Sequence, residues 1–137
     1  MSGKRLRSFD VATPVRLSLL WAALMGLYIY NDYFSMYLPG TIEEMSSGVM
    51  GPLGAATDTI MIAVSLVLAI PALLIFLSSA LPPALAKWAN VLFGAAYTVI
   101  EILTFFGSAP FYQIVVVFEI LVTLAIIWTA LTWPKVE

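Results

Sequence analysis

The sequence contains no cysteine and no histidine, and only 10% of its 137 residues are charged. Without cysteine the chain has neither disulfides nor thiolate metal sites. Without histidine it lacks the commonest metal ligand and the usual proton shuttle at neutral pH. The net charge is −2 and the six basic residues form no basic patch, which argues against a nucleic-acid partner. We therefore expect no cofactor, no metal and no nucleic acid.

Apolar residues, in contrast, are in excess. They make up 62% of the sequence, and the mean hydropathy is +1.02. Soluble domains are about 45–50% apolar and about 25% charged. A chain this short has most of its residues near the surface and cannot hide so much apolar area from water. The sequence therefore predicts an integral membrane protein whose first partner is the lipid bilayer.

Four apolar stretches are long enough to cross a hydrocarbon core, which takes about 20 residues each. They run over about residues 15–34, 55–79, 86–106 and 111–133. The first has a basic start, as a signal peptide does, but no small-residue cleavage pattern follows it, so we expect it to remain as a span. The sequence thus predicts an all-α membrane four-helix bundle, with residues 1–137 forming a single domain.

The basic residues all fall on one side of this topology. They precede or begin the first span, lie in the turn between the second and third, or follow the last: Lys4, Arg5, Arg7, Arg16, Lys87 and Lys135. Because loops rich in Lys and Arg stay on the cytoplasmic side, both termini are predicted to be cytoplasmic, in a multi-pass protein of the cell membrane.

The connection between the first two spans, at about residues 36–54, is the only long one. Thr41 and Glu44 have the spacing of a capping box, in which each side chain bonds a free N–H of the other residue. This spacing predicts a short helix from Thr41 to about Ser47, lying on the outer interface. The segment is then either a plain connector or a lid over a site beneath it.

Each span contains one acidic residue, and these are Asp32, Asp58, Glu101 and Glu119. With a rise of 1.5 Å per residue, Glu101 lies about 9 Å inside the turn at Gly107. Glu119 lies about 12 Å from Phe111 by the same measure. All four acids project into the outer half of the membrane, where no Lys or Arg falls. Because two acids close together in a low-dielectric interior do not both ionise, we expect Glu101 and Glu119 to face each other and share a proton.

Polar and aromatic residues recur at helical spacing beside these acids. On the first span they are Trp21, Met25, Tyr28, Asp32 and Ser35; on the third, Asn90, Gly94, Tyr97, Glu101 and Phe105; on the last, Tyr112, Glu119 and Thr123. The second span has a small or polar stripe at Asp58, Ser65, Ala69 and Ala72, suited to close packing. In that span Pro71 also removes the hydrogen bond to the Val67 carbonyl.

These faces predict a shared polar interior that opens outward and binds a ligand. The predicted ligand-binding residues are Tyr28, Asp32, Asn90, Tyr97, Glu101 and Glu119. Acids inside a membrane are candidates for function by default. The other interpretation is that these acids and their polar neighbours only hydrogen-bond the helices to one another.

Three segments together carry a resemblance. The run from Tyr28 to Gly40, the sequence Lys87-Trp88-Ala89-Asn90 and the last span around Glu119 are similar to an uncharacterised family of small four-span bacterial membrane proteins, a domain of unknown function. The resemblance covers nearly the whole chain. It implies the four-span architecture and points to Asp32, Asn90 and Glu119, but it implies no activity.

Three classes of function remain open. The first is binding or transport of a small cationic or amphipathic ligand, coupled to a proton, since carboxylates beside aromatic rings attract cations. Small multidrug exporters are an analogy for this class in architecture only. The second class is an accessory subunit whose interior packs against a membrane partner or a second copy. The third is an enzyme acting on lipid, but no nucleophile–base arrangement is present, so we expect no catalytic residues.

Overall fold

Five α-helices make up most of residues 3–137, the part of the chain that the computed structural model describes. Their bounds are Thr13–Ser35 (α1), Thr41–Ser46 (α2), Asp58–Ala80 (α3), Pro83–Phe105 (α4) and Pro110–Leu131 (α5). A 3-10 turn covers Gly51–Leu53. All but α2 have 22 or 23 residues and are long and apolar enough to cross a membrane. The predicted all-α, four-helix membrane bundle is confirmed.

Proline begins three of the four long helices. Pro14, Pro83 and Pro110 lie in the first turns of α1, α4 and α5, where the missing N–H is not needed. The start of α3 is capped by the Thr57 hydroxyl, which accepts from the Ile60 N–H at 3.3 Å. The largest differences from the predicted spans are at the starts of α3 (58 against 55) and α4 (83 against 86). Pro83 is itself the first residue of α4.

The connection between α1 and α3 contains the helix predicted there, α2. Its predicted capping box is wrong. The N-cap is Gly40, at φ 86°, and no side chain caps the helix start. Thr41 is already the first helical residue, one position too late to act as the cap. Glycine at position 40 instead gives the chain a left-handed turn into the helix.

The long helices form a ring in which successive members run in opposite directions. α1 packs along α3 and α5, and α4 packs along α5 and only weakly along α3. Residues 3–12, the turn between α3 and α4 and residues 132–137 therefore share one end of the bundle, here called the termini end. The opposite end carries residues 36–57 and the turn between α4 and α5, and is called the loop end.

The interior changes character along the bundle. Its apolar core is buried mainly toward the termini end and comprises Leu17, Trp21, Leu24, Leu74, Tyr97, Ile126 and Ala130. Toward the loop end the buried side chains include the polar groups of Asn31, Glu101, Glu119 and Thr123, beside the apolar Val116. The buried acids thus lie toward the loop end, and most of the apolar core lies toward the termini end.

The face of α3 that meets the bundle is not the predicted one. Ser65 and Ala72 are exposed, whereas Pro71, Leu74 and Ser78 are buried. Because α3 is apolar on all sides, its sequence offers little contrast between the lipid-facing and the packed face.

Candidate functional site

A cavity of about 120 Å³ lies inside the bundle, toward the loop end. All four long helices contribute to its wall, which consists of Tyr28, Asp32, Val67, Leu68, Tyr97, Ile100, Glu101, Thr104, Tyr112 and Glu119. Three of these residues are acidic and three are tyrosines. Within residues 3–137, no Lys or Arg lines this cavity. The cavity is therefore acidic and aromatic, and it lacks a built-in positive charge.

Glu101 is 2% exposed, and both of its carboxyl oxygens are hydrogen-bonded. The Tyr28 hydroxyl donates to Oε1 at 2.6 Å, and the Thr123 hydroxyl donates to Oε2 at 2.8 Å. The Thr98 hydroxyl lies 2.8 Å from Thr123 Oγ1 and extends the chain of polar groups. A donor on each oxygen is the arrangement that satisfies an ionised carboxylate.

Glu119 is 3% exposed but is held much more loosely. Among the described residues its one hydrogen bond comes from the Asn31 amide nitrogen at 3.5 Å, the outer limit for such a contact. Asn31 is itself buried, and its Oδ1 has no hydrogen-bond partner in this part of the chain. The two buried acids of the cavity thus differ: one is fully bonded, and the other lies beside an unpaired amide oxygen.

Asp32 lines the cavity from the last turns of α1. Unlike Glu101 and Glu119, it is exposed, which puts it at the rim of the cavity and not in the interior. Over residues 3–137, no three acidic side chains come close enough together to hold a metal ion. The three acids are therefore spread around the cavity wall and do not converge on one point.

Tyr97 connects α4 to α3 at the cavity wall. Its hydroxyl donates to the Val67 carbonyl, the acceptor that Pro71 leaves without a helical N–H. The Tyr97 ring also lies edge-on to Trp21, with 6.0 Å between the ring centroids. The proline and the tyrosine thus act together: one frees a carbonyl, and the other satisfies it.

Asn90 lies away from the cavity, among a second set of buried polar groups. Its Oδ1 accepts from Trp21 Nε1 at 2.6 Å, and its Nδ2 donates to the Ala86 carbonyl at 2.8 Å. The Ser78 hydroxyl lies 3.2 Å from the same amide. Because Asn90 precedes Glu101 by eleven residues on one helix, the two are about 16 Å apart along the axis.

The structure therefore brings five of the six predicted site residues to one cavity and places the sixth, Asn90, elsewhere. Whether any of the six binds a ligand stays a prediction. Nothing in the sequence singles out Val67, Leu68 or Ile100, which are aliphatic residues in apolar helices. The sequence could have predicted Thr123 as a site residue, because it shares a helical face with Glu119. In the structure, its hydroxyl donates to Glu101.

No curated protein and no solved structure matches the chain. The family model described as "Family of unknown function (DUF6326)" matches residues 6–137. This match covers nearly the whole chain and confirms the resemblance to an uncharacterised family. The chain belongs to the Family of unknown function (DUF6326).

Proposed function

We propose that this protein binds a small cationic or amphipathic ligand in the acidic cavity and couples its binding or transport to a proton. The observation that carries this proposal is the composition of the cavity wall: three acids and three tyrosines, with no Lys or Arg among the described residues that line it. Carboxylates attract a cation directly, and tyrosine rings attract it through their electron-rich faces.

The energetic cost of the acids supports the same conclusion. An ionised carboxylate at the centre of a span costs about 2.5–3.5 kcal/mol by insertion scales. The positive charges of the chain lie in its tails or in the first two turns of α1 and α4, far from the cavity. A cation or a proton that enters the cavity would remove part of this cost. An acidic site of this kind is therefore incomplete without one of them.

The contacts of the two buried acids suggest where that proton would be held. Glu101 has a hydroxyl group beside each oxygen, and two such donors would stabilise its ionised form. A protonated Glu119 would offer its O–H to Asn31 Oδ1, the acceptor that lacks a partner in the described part of the chain. We assign the proton to Glu119 and the negative charge to Glu101. A bound cation would then displace the proton from Glu119.

The orientation of the bundle is part of the proposal. Every Lys and Arg lies at the termini end or in the tails beyond it, so the positive-inside rule puts this end in the cytoplasm. The cavity, which lies toward the loop end, is then in the outer half of a cell membrane.

The competing hypothesis is that the acids only join the helices of an accessory subunit. The bonds of Glu101 to Tyr28 and Thr123 favour it, since they link α4 to α1 and α5. The loose contact of Glu119 with Asn31 argues against this hypothesis, because a side chain that serves to join helices is expected to be well hydrogen-bonded. Cation binding separates the two hypotheses.

The experiment is a binding titration with tetramethylammonium on the full chain in lipid nanodiscs. We expect saturable binding that weakens by at least about tenfold, or about 1.4 kcal/mol, in Glu101→Gln. The matched control is Glu43→Gln, which removes an exposed acid of α2 and should leave binding unchanged. Equal binding by the wild type and Glu101→Gln, or no saturable binding at all, would favour the accessory role.

A further inference from the structure

The size of the cavity restricts what can enter it. A volume of about 120 Å³ is smaller than the roughly 150 Å³ of an apolar cavity that takes one benzene. Pockets for drug-sized ligands have volumes of about 300–1,000 Å³. The cavity therefore has room for a small cationic head group but not for the remainder of a larger molecule.

Part of the cavity wall consists of aliphatic side chains of α3 and α4 that are also exposed. They are Val67 and Leu68 of α3 and Ile100 of α4. These side chains are 43%, 37% and 40% exposed, although they also face the cavity. Because α3 and α4 are candidate membrane spans, their exposed aliphatic side chains lie against lipid. The same residues thus border both the cavity and the hydrocarbon.

α3 and α4 pack only sparsely on each other. They follow each other through a short turn, yet they pack on each other less than α4 packs on α5 or α1 on α3. The hydroxyl of Tyr97 and the carbonyl of Val67 form the polar link across this gap. Beside the cavity, a hydrogen bond thus joins the two helices where their packing is sparse.

We propose that the ligand is an amphipathic monocation that reaches the cavity from the bilayer, between α3 and α4. Its charged head lies among Glu101, Glu119 and the tyrosines, and its single apolar tail remains in the cleft formed by Val67, Leu68 and Ile100. This inference rests on the proposed function, because it assumes that the cavity takes a cation. It adds the class of ligand and the route of entry.

A second opening offers the main alternative for the tail. Phe34, Tyr37, Leu38 and Phe111 line an open depression of about 380 Å³ at the loop end. It has no acid in its wall and shares no lining residue with the cavity. Because the depression shares no lining residue with the cavity, a tail whose charged head lies in the cavity leaves through the α3–α4 cleft.

The test compares tetramethylammonium with dodecyltrimethylammonium on the full chain in nanodiscs, with empty nanodiscs to subtract partitioning into lipid. If the cavity opens to the bilayer, the dodecyl tail is accommodated and both ligands bind saturably. The variant Ile100→Trp fills the cleft, and we expect dodecyltrimethylammonium to lose at least tenfold more affinity than tetramethylammonium does. Leu103→Trp, at an exposed position on the same helix that does not line the cavity, is the matched control and should change neither affinity.

The outcomes separate this inference from the proposed function. If tetramethylammonium binds but dodecyltrimethylammonium does not, the cavity is closed to the bilayer and the inference is wrong, while the proposed function stands. The inference is also wrong if Ile100→Trp weakens both ligands equally, or if a photoreactive group on the tail labels the depression at Phe34 and Phe111. If neither ligand binds the wild type, the proposed function itself fails.

Discussion

The phenolic hydroxyl of Tyr28 donates to Glu101 Oε1 at 2.6 Å and so joins α1 to α4 across the interior of the bundle. These two helices pack on each other very little, because they lie on a diagonal of the ring. Neighbouring helices are held at a defined distance by apolar packing. Between α1 and α4, this hydrogen bond holds the two halves of the cavity wall at a defined distance.

Replacing Tyr28 with Phe should destabilise the protein by about 1.5–3 kcal/mol, the range for hydrogen bonds to charged groups. The change removes one of the two donors to a buried carboxylate and leaves the ring in place. Unfolding by denaturant titration in detergent micelles measures the loss. Tyr30→Phe is the control, because Tyr30 is exposed and should shift stability by less than about 0.5 kcal/mol. Equal stability of the two variants would show that the Tyr28–Glu101 bond contributes nothing.

The link between Tyr97 and the Val67 carbonyl should depend on Pro71. Tyr97→Phe leaves that carbonyl without a donor inside the membrane, at a cost of about 1–3 kcal/mol. In a Pro71→Ala background the alanine N–H can bond the same carbonyl, so the same tyrosine substitution should cost clearly less.

A double-mutant cycle over Tyr97→Phe and Pro71→Ala measures this dependence as a coupling free energy. The expected coupling is at least about 0.5 kcal/mol, the lower end for residues that share a partner. Strictly additive losses would mean that the tyrosine does not replace the helical bond that the proline removes.

Close packing of α4 on α5 should make Gly94 intolerant of a side chain. A Cβ at this position would lie 2.8 Å from Ile127 Cγ1 and 3.4 Å from Ile126 Cγ2. Gly94→Ala therefore overpacks the contact and should destabilise the protein by about 1–3 kcal/mol.

Gly26→Ala is the matched control, since Gly26 is also within a long helix and a Cβ there meets no atom within 4 Å. It should be neutral or stabilising, by up to about 1 kcal/mol from helix propensity. Similar effects of the two substitutions in thermal unfolding would contradict the close approach of α4 to α5 at Gly94.

The predicted orientation can be tested cleanly because the chain has no cysteine of its own. Single cysteines at Ser46, in α2, and at Ser8, in the exposed segment before α1, are probed with an impermeant thiol reagent on intact cells. With both termini in the cytoplasm, Ser46→Cys is labelled and Ser8→Cys is labelled only after the cells are opened. The reverse pattern would invert the topology and put the cavity in the inner half of the membrane.

The sequence predicted the structure best where polar residues stand out against an apolar background. On α4 the predicted face is the buried one, from Asn90 through Gly94 and Tyr97 to Glu101. On α3 there was no such contrast, and Ser78, which is buried, was missed in favour of Ser65, which is exposed. Where a helix is apolar all round, only its neighbours decide which side it buries.

The prediction from the sequence misplaced one residue that it could have excluded, and it missed two features that one sequence does not contain. Asn90 was grouped with Glu101 because the two share a helical face, although the eleven residues between them already put it about 16 Å away along the axis. The opening between α3 and α4 depends on how far two sequence neighbours separate, and short turns give no sign of that. The unpaired oxygen of Asn31 is visible only once its partners are placed.

The most direct measurement is the distance from a bound cation to Glu101. In bilayers, with ¹³C in the glutamate carboxyl groups and ¹⁵N in tetramethylammonium, dipolar-recoupling solid-state NMR reports which carboxyl carbons lie near the nitrogen. A cation held by an acid lies within about 6 Å of it, so we expect dephasing of a carboxyl signal that disappears in Glu101→Gln and persists in Glu43→Gln. Saturable binding without any such dephasing, or dephasing that survives Glu101→Gln unchanged, would contradict the assignment of Glu101 as the acid that holds the cation.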